Sequence, residues 1–104
     1  MELGLKGKVA MVAASSKGLG FGIAKSLAEE GAKLSIGSRT KDEIEAAADQ
    51  LRKENNTEVL SSVMDSSNPE SILEWTDATI REFGGIDKLV VNAGGPPALS
   101  LIHI

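Results

Sequence analysis

The chain has 104 residues, 41% of them apolar and 3% aromatic, with a formal net charge of −4, which suits one small domain with an aliphatic core. Its charges are mixed along the chain, with no basic stripe for a nucleic-acid backbone and no polybasic patch for a membrane, so neither is expected as a partner. It has no cysteine and one histidine, which removes disulfides, thiol catalysis and cysteine metal sites and leaves no zinc cluster, so no metal is expected. Met1 to Lys8 carries no long apolar stretch, so neither a signal peptide nor a membrane span is expected, and the cytoplasm is the default location.

The apolar run Val9-Ala10-Met11-Val12-Ala13 predicts a first strand. It is followed by Ala14-Ser15-Ser16-Lys17-Gly18-Leu19-Gly20, a glycine-bearing turn into the helical pattern Ile23-Ala24, Leu27-Ala28. A turn of this kind lets a backbone approach a pyrophosphate while a helix N-terminus faces its charge, so a dinucleotide is the first ligand to consider. This first helix is predicted from about Gly18 to Glu30, ended by Glu30-Gly31. Lys33 to Gly37 predicts the second strand. The second helix opens at Thr40-Lys41-Asp42-Glu43, where the Thr hydroxyl is expected to cap a backbone N–H and the Glu to reach back, and Ile44, Ala47, Ala48 and Leu51 form its buried stripe.

Val59 to Val63 predicts the third strand, and Asn68-Pro69 the start of the third helix, with the Asn side chain as cap and Pro at the first helical position. Ile72, Thr76, Ile80 and Phe83 share a face of that helix, and Gly84-Gly85 ends it. Trp75 lies off the face and reads as a partly exposed ring covering a neighbouring loop rather than a ligand-stacking group. Lys88 to Asn92 predicts a fourth strand whose continuous apolar character suits the centre of a sheet. Strands alternating with helices make an α/β chain, and right-handed crossovers give a doubly wound parallel sheet in the order 3-2-1-4. A ligand is expected at the switch point between the first and fourth strands. Ser38-Arg39, Asp65-Ser66 and Asn92-Ala93-Gly94 all fall at strand C-termini, on that ligand edge.

These residues resemble the short-chain dehydrogenase/reductase family, in the classical branch near the 3-oxoacyl-(acyl carrier protein) reductases, over residues 5 to 98. The family's Thr-Gly-x-x-x-Gly-x-Gly signature falls on Ala13 to Gly20, and its Asn-Asn-Ala-Gly signature on Val91-Asn92-Ala93-Gly94. Ala13-Ala14 stands where the family has Thr-Gly, so the turn lacks a glycine tolerant of positive φ, while Ala14 keeps the small side chain that helix–strand contact requires. The resemblance implies the N-terminal half of a Rossmann-like fold, with Ala14, Ser15, Ser16, Lys17, Gly18, Leu19 and Gly20 around the phosphates. Asp65 is implied on the adenine amino group with the Ser66 backbone beside it; its alternative, capping the third helix, competes with Asn68. Asn92 is implied to brace the central strands while its backbone, with Ala93 and Gly94, lies along the cofactor ribose.

Charge argues for NADP(H) over NAD(H). An NAD site usually ends its second strand with Asp or Glu, whereas Gly37-Ser38-Arg39 offers a hydroxyl and a guanidinium to a 2′-phosphate, and Lys17 adds a second positive charge. The alternative has Arg39 lying over Ile44 and Lys17 solvated.

The family reduces a carbonyl by hydride transfer while a Tyr, with a Lys four residues on, donates the proton and a Ser orients the substrate. This chain has no tyrosine. The expectation is therefore the NADP-binding half of a parent that acts on a small carbonyl or alcohol substrate and is a homo-oligomer, with the chain itself inactive. A non-catalytic module that binds NADP or a partner is the alternative, and a fragment that never folds stably is a third reading. Leu99-Ser100-Leu101-Ile102-His103-Ile104 resembles the translation of a transposon end sequence used in DNA sequencing libraries. Residues 99–104 are thus expected to be a non-native tail on a domain of residues 1–98, the alternative being a natural short apolar tail packing on the open sheet. Leu89-Val90-Val91 is then expected on an unpaired sheet edge, and the chain to be marginally stable and prone to associate.

Overall fold

The structure, a computed structural model, describes residues 4–13, 18–92 and 99–103. Its elements in chain order are β1 (Val9–Ala13), α1 (Gly18–Glu29), β2 (Lys33–Ser38), α2 (Lys41–Asn55), β3 (Val59–Val63), α3 (Pro69–Phe83), β4 (Lys88–Asn92) and β5 (Leu99–His103). They form one sheet in the order β3-β2-β1-β4-β5. The first four strands are parallel in the predicted order 3-2-1-4. β5 runs antiparallel to β4, with Asn92 opposite Leu99 and Lys88 opposite His103. The expected bare edge at Leu89-Val90-Val91 is therefore paired, because the short segment after β4 returns along it and takes up backbone hydrogen bonds that β4 would otherwise offer to solvent.

The period of two along the strands divides the interior into two clusters. Ala10 and Val12 of β1, Leu34 and Ile36 of β2, Val59 of β3 and Val90 of β4 pack with Ala24, Leu27 and Ala28 of α1 and with Ile44, Ala47, Ala48 and Leu51 of α2. The stripe expected on α2 is the one buried. On the opposite face lie Met11, Ala13, Met64 and Trp75, with Ile86 and Leu89 partly buried against them. One helix, α3, meets that face among the described elements.

Helix ends follow local chemistry. α1 closes in a Schellman arrangement: Gly31 at φ +90° donates to the Ala28 carbonyl, and Ala32 donates to that of Leu27. In α3 the Asn68 side chain accepts from the Glu70 amide at 3.0 Å, with Pro69 next to it, as expected. At α2 the Thr40 hydroxyl makes no capping bond, contrary to expectation; the Thr40 carbonyl instead accepts the first helical bond, from Ile44.

The seating of α3 differs from its predicted face. Ile72 and Ile80 are 38% and 45% exposed, while Trp75 and Thr79 are buried at 3% and 0%. The cause lies on β2, whose residues toward α3 are Ser35 and Gly37. A strand surface made of a hydroxyl and a bare backbone accepts a flat ring with a polar edge better than a branched aliphatic chain. Trp75 accordingly lies on the sheet, not over a loop.

Candidate functional site

Because β1 to β4 are parallel, their C-termini share one edge, and the described candidate residues collect there. Gly18, Leu19 and Gly20 open α1 above β1; Ser38 and Arg39 end β2; Asp65 and Ser66 follow β3; Asn92 ends β4. Ala14, Ser15, Ser16, Lys17, Ala93 and Gly94 lie outside the described residues, as does any side-chain role of Asn92.

Gly18 has φ +66°, a conformation L side chains rarely adopt, and a Cβ built on it would meet no atom within 4 Å. The backbone at the head of α1 is thus strained for other residues and open to an incoming group. The first turn of α1 contains no acidic residue, whereas α2 begins with Asp42 and Glu43 and α3 with Glu70. Carboxylates normally settle at helix N-termini to meet the partial positive charge, so α1 leaves that charge available to an external anion.

A backbone hydrogen bond joins the end of β2 to the residue after β3. The Met64 amide donates to the Ser38 carbonyl at 2.8 Å, and Met64 itself is 2% exposed. Asp65 follows directly. Its Oδ1 accepts from the Ser67 hydroxyl at 2.7 Å and the Ser67 amide at 3.0 Å, while its own amide donates to Ser71 Oγ at 2.9 Å. These bonds from Ser67 hold the Asp65 carboxyl below its ordinary pKa against an opposing effect of burial, with a still smaller lowering from the Arg39 guanidinium. Asp65 is therefore a fixed carboxylate at neutral pH, with Arg39 in its field. It does not cap α3, since Asn68 does that.

A buried hydrogen-bonded ring braces β2 beneath this edge. Trp75 Nε1 donates to Ser35 Oγ at 3.0 Å, Ser35 Oγ and Thr79 Oγ1 are 2.6 Å apart, and Thr79 Oγ1 donates to the Trp75 carbonyl at 2.8 Å. Since the single Thr79 proton is used on that carbonyl, Ser35 donates to Thr79, and the three residues form a closed ring with every member satisfied. At the opposite end of the strands Asp87 pins β1 to β4: its carboxylate accepts from the Val9 amide at 2.8 Å, and its amide donates to the Val9 carbonyl at 2.9 Å. Ser35 and Thr79 carry no signal in sequence beyond being polar residues inside otherwise apolar stretches. Among the described residues no group of three or more His, Asp or Glu is placed to hold a metal ion, and no helix is long and apolar enough to cross a membrane.

The alternating strands and helices, the order 3-2-1-4 and an anion-facing helix at the C-terminal edge define a Rossmann-like fold. Residues 8–103 match the family model for short chain dehydrogenase, and the chain belongs to that family. It is 38% identical over 90 residues to 11-beta-hydroxysteroid dehydrogenase-like 2 of Arabidopsis thaliana, covering 86% of this chain and 29% of that protein. With the 3-oxoacyl-(acyl-carrier-protein) reductase FabG of Vibrio cholerae it shares 42% identity over 92 residues, 88% of this chain and 36% of the relative. The crystal structure of L-sorbose reductase from Gluconobacter frateurii, complexed with NADPH and L-sorbose, superposes with a TM-score of 0.87 at 37% identity, over 91% of this chain and 36% of that one. The chain thus spans about a third of the length of these relatives.

Proposed function

We propose that residues 1–98 are the NADP-binding part of an oxidoreductase that moves hydride between NADP(H) and a carbonyl or alcohol substrate, with residues 99–104 a non-native tail. The observation that carries the cofactor reading is that Arg39 directly follows Ser38 at the C-terminal end of β2, on the same sheet edge as a helix whose first turn has no carboxylate. The NADPH held by L-sorbose reductase supports the same reading.

The residues present fit the group. The open backbone at Gly18 and the head of α1 receive the pyrophosphate, Arg39 and Ser38 take the 2′-phosphate, and Asp65, whose Oδ1 is already occupied by Ser67, offers Oδ2 to the adenine amino group. The cofactor supplies the hydride when bound; this chain orients its adenosine half. With no tyrosine in the sequence, the chain holds no phenol to protonate a carbonyl oxygen, so turnover is assigned to the parent and binding to this chain.

Isothermal titration of the chain with NADPH and with NADH tests the cofactor reading. The expected result is a clear preference for NADPH that Arg39→Ala removes, through loss of a charge-assisted contact of about 1.5–3 kcal/mol. Equal affinities in the wild type would refute it. Oxidation of NADPH by this chain with any carbonyl substrate would refute the assignment of catalysis to the parent.

A further inference from the structure

We propose that Trp75 is a positioning residue for cofactor selectivity: held by its hydrogen bond to Ser35, it fixes the Gly37-Ser38-Arg39 turn and so sets the discrimination for an adenosine 2′-phosphate. The proposal rests on the NADP reading above.

Ser35 and Gly37 stand two residues apart on the same face of β2, and Trp75 engages both. Its Nε1 is anchored on Ser35 Oγ at 3.0 Å. Its Cε2 closes over Gly37 so tightly that a Cβ there would lie 3.2 Å from it and 3.1 Å from the Cβ of Met64. The indole is therefore bonded one step below the turn and packed on its first residue. Met64, the other wall over Gly37, donates from its amide to the carbonyl of Ser38. Gly37 and Ser38 are thus gripped from beneath by Trp75 and from the side by Met64, and Arg39 is the next residue along the chain.

Trp75 is 3% exposed, and a surface groove lies next to it. The groove, of about 520 Å³, is lined by Ser62, Val63, Glu74, Trp75, Asp77 and Arg81 among others, between β3 and α3. Packing holds the ring against Gly37, and the directional bond to Ser35 fixes its orientation there. If the anchor is cut, the ring loses that orientation, the floor beneath Gly37 shifts, and Arg39 no longer meets a phosphate at hydrogen-bonding distance. The head of α1 lies outside this linkage, and the Asp65 carboxylate is held by Ser67 in its own loop, so recognition of the rest of the adenosine moiety changes less than recognition of the 2′-phosphate.

The test measures dissociation constants of the 104-residue chain for 2′,5′-ADP and 5′-AMP by NMR titration. These probes share the adenosine and the 5′-phosphate and differ in the 2′-phosphate. Trp75→Phe keeps a ring but loses the donor; Ser35→Ala keeps the indole but loses the acceptor. Both are expected to weaken 2′,5′-ADP about tenfold, the loss of one charge-assisted bond, with 5′-AMP changed less than twofold. Ser35→Ala is the variant that decides if Trp75→Phe does not fold. Equal weakening of both probes, or an unchanged ratio in a folded variant, would overturn the proposal. A wild-type chain that does not prefer 2′,5′-ADP would overturn the NADP reading itself, a result visible before any variant is made.

Discussion

Replacing Thr79 by Val removes one hydroxyl from the buried ring while keeping size and branching. Thr79 is 0% exposed, accepts from Ser35 and donates to the Trp75 carbonyl. Loss of the second bond costs little, because that carbonyl is also placed for the ordinary helical bond. Loss of the first strands the Ser35 O–H in a site that is itself 0% exposed, at a cost of about 1–3 kcal/mol for an unsatisfied buried donor. In a domain of this size each kcal/mol lowers the melting temperature by roughly 4–8 °C. The closed ring makes a sharper prediction for the double variant. In a Ser35→Ala background the hydroxyl that Thr79→Val would orphan no longer exists, so the second substitution is expected to cost close to nothing. Trp75 is the single tryptophan and tyrosine is absent, so urea unfolding followed by intrinsic fluorescence reads the site directly, and all four proteins of the cycle retain the probe. A coupling energy of about 1–2 kcal/mol is expected. Additive costs would refute the ring as drawn.

Gly37→Ala places a Cβ 3.1 Å from Met64 Cβ and 3.2 Å from the indole; this overpacking is expected to cost about 1–3 kcal/mol by chemical denaturation, and a neutral result would mean that the indole is free to move. Ser67→Ala removes the larger of the bonds that depress the Asp65 pKa, so the carboxyl should titrate closer to its ordinary value in an NMR pH series. The sign for stability follows from that depression: the contribution of Asp65 is complete above the unfolded-state pKa and fades as pH falls through the lower folded value, so the wild type should lose stability relative to Ser67→Ala only in that acidic interval. Removing residues 99–104 strips the antiparallel partner from β4 and is expected to speed amide exchange in Leu89 and Val90 and to produce concentration-dependent association by light scattering. A truncated chain with unchanged exchange would show that β5 contributes no protection.

Much of the fold was legible because its signals are local. The four parallel strands, the caps at Asn68 and Gly31 and the stripe of α2 each follow from a few neighbouring residues, and the glycine turn with Ser38, Arg39, Asp65 and Asn92 at strand ends marked the edge where the described candidates gather. Apart from the Thr40 cap, where the carbonyl and not the hydroxyl takes the first bond, the differences from expectation are non-local. Which face α3 buries depends on Ser35 and Gly37, some 40 residues away from Trp75, and no helical periodicity within 69–83 carries that information. The pairing of β4 with β5 likewise depends on contact between two segments: the apolar composition of residues 99–104 allowed packing on the open sheet, while the antiparallel register comes from the pairing itself.

The two faces of the sheet explain why the non-local case matters for the site. Toward α1 and α2 the strands present Leu34, Ile36, Val12 and Val59, and burial of such side chains, about 1.5–3 kcal/mol each, fixes the helices through shape. Toward α3 the corresponding positions on β2 are a hydroxyl and a glycine, which offer little apolar area and would tolerate several seatings of a helix. A directional ring of three hydrogen bonds selects one of them. The same substitution of polarity for bulk that makes α3 hard to place from sequence leaves Gly37 bare, and a bare Gly37 lets an indole support the backbone that carries Arg39. On the proposal above, the seating of α3 and the backbone that leads to Arg39 are one structural variable, set by Ser35.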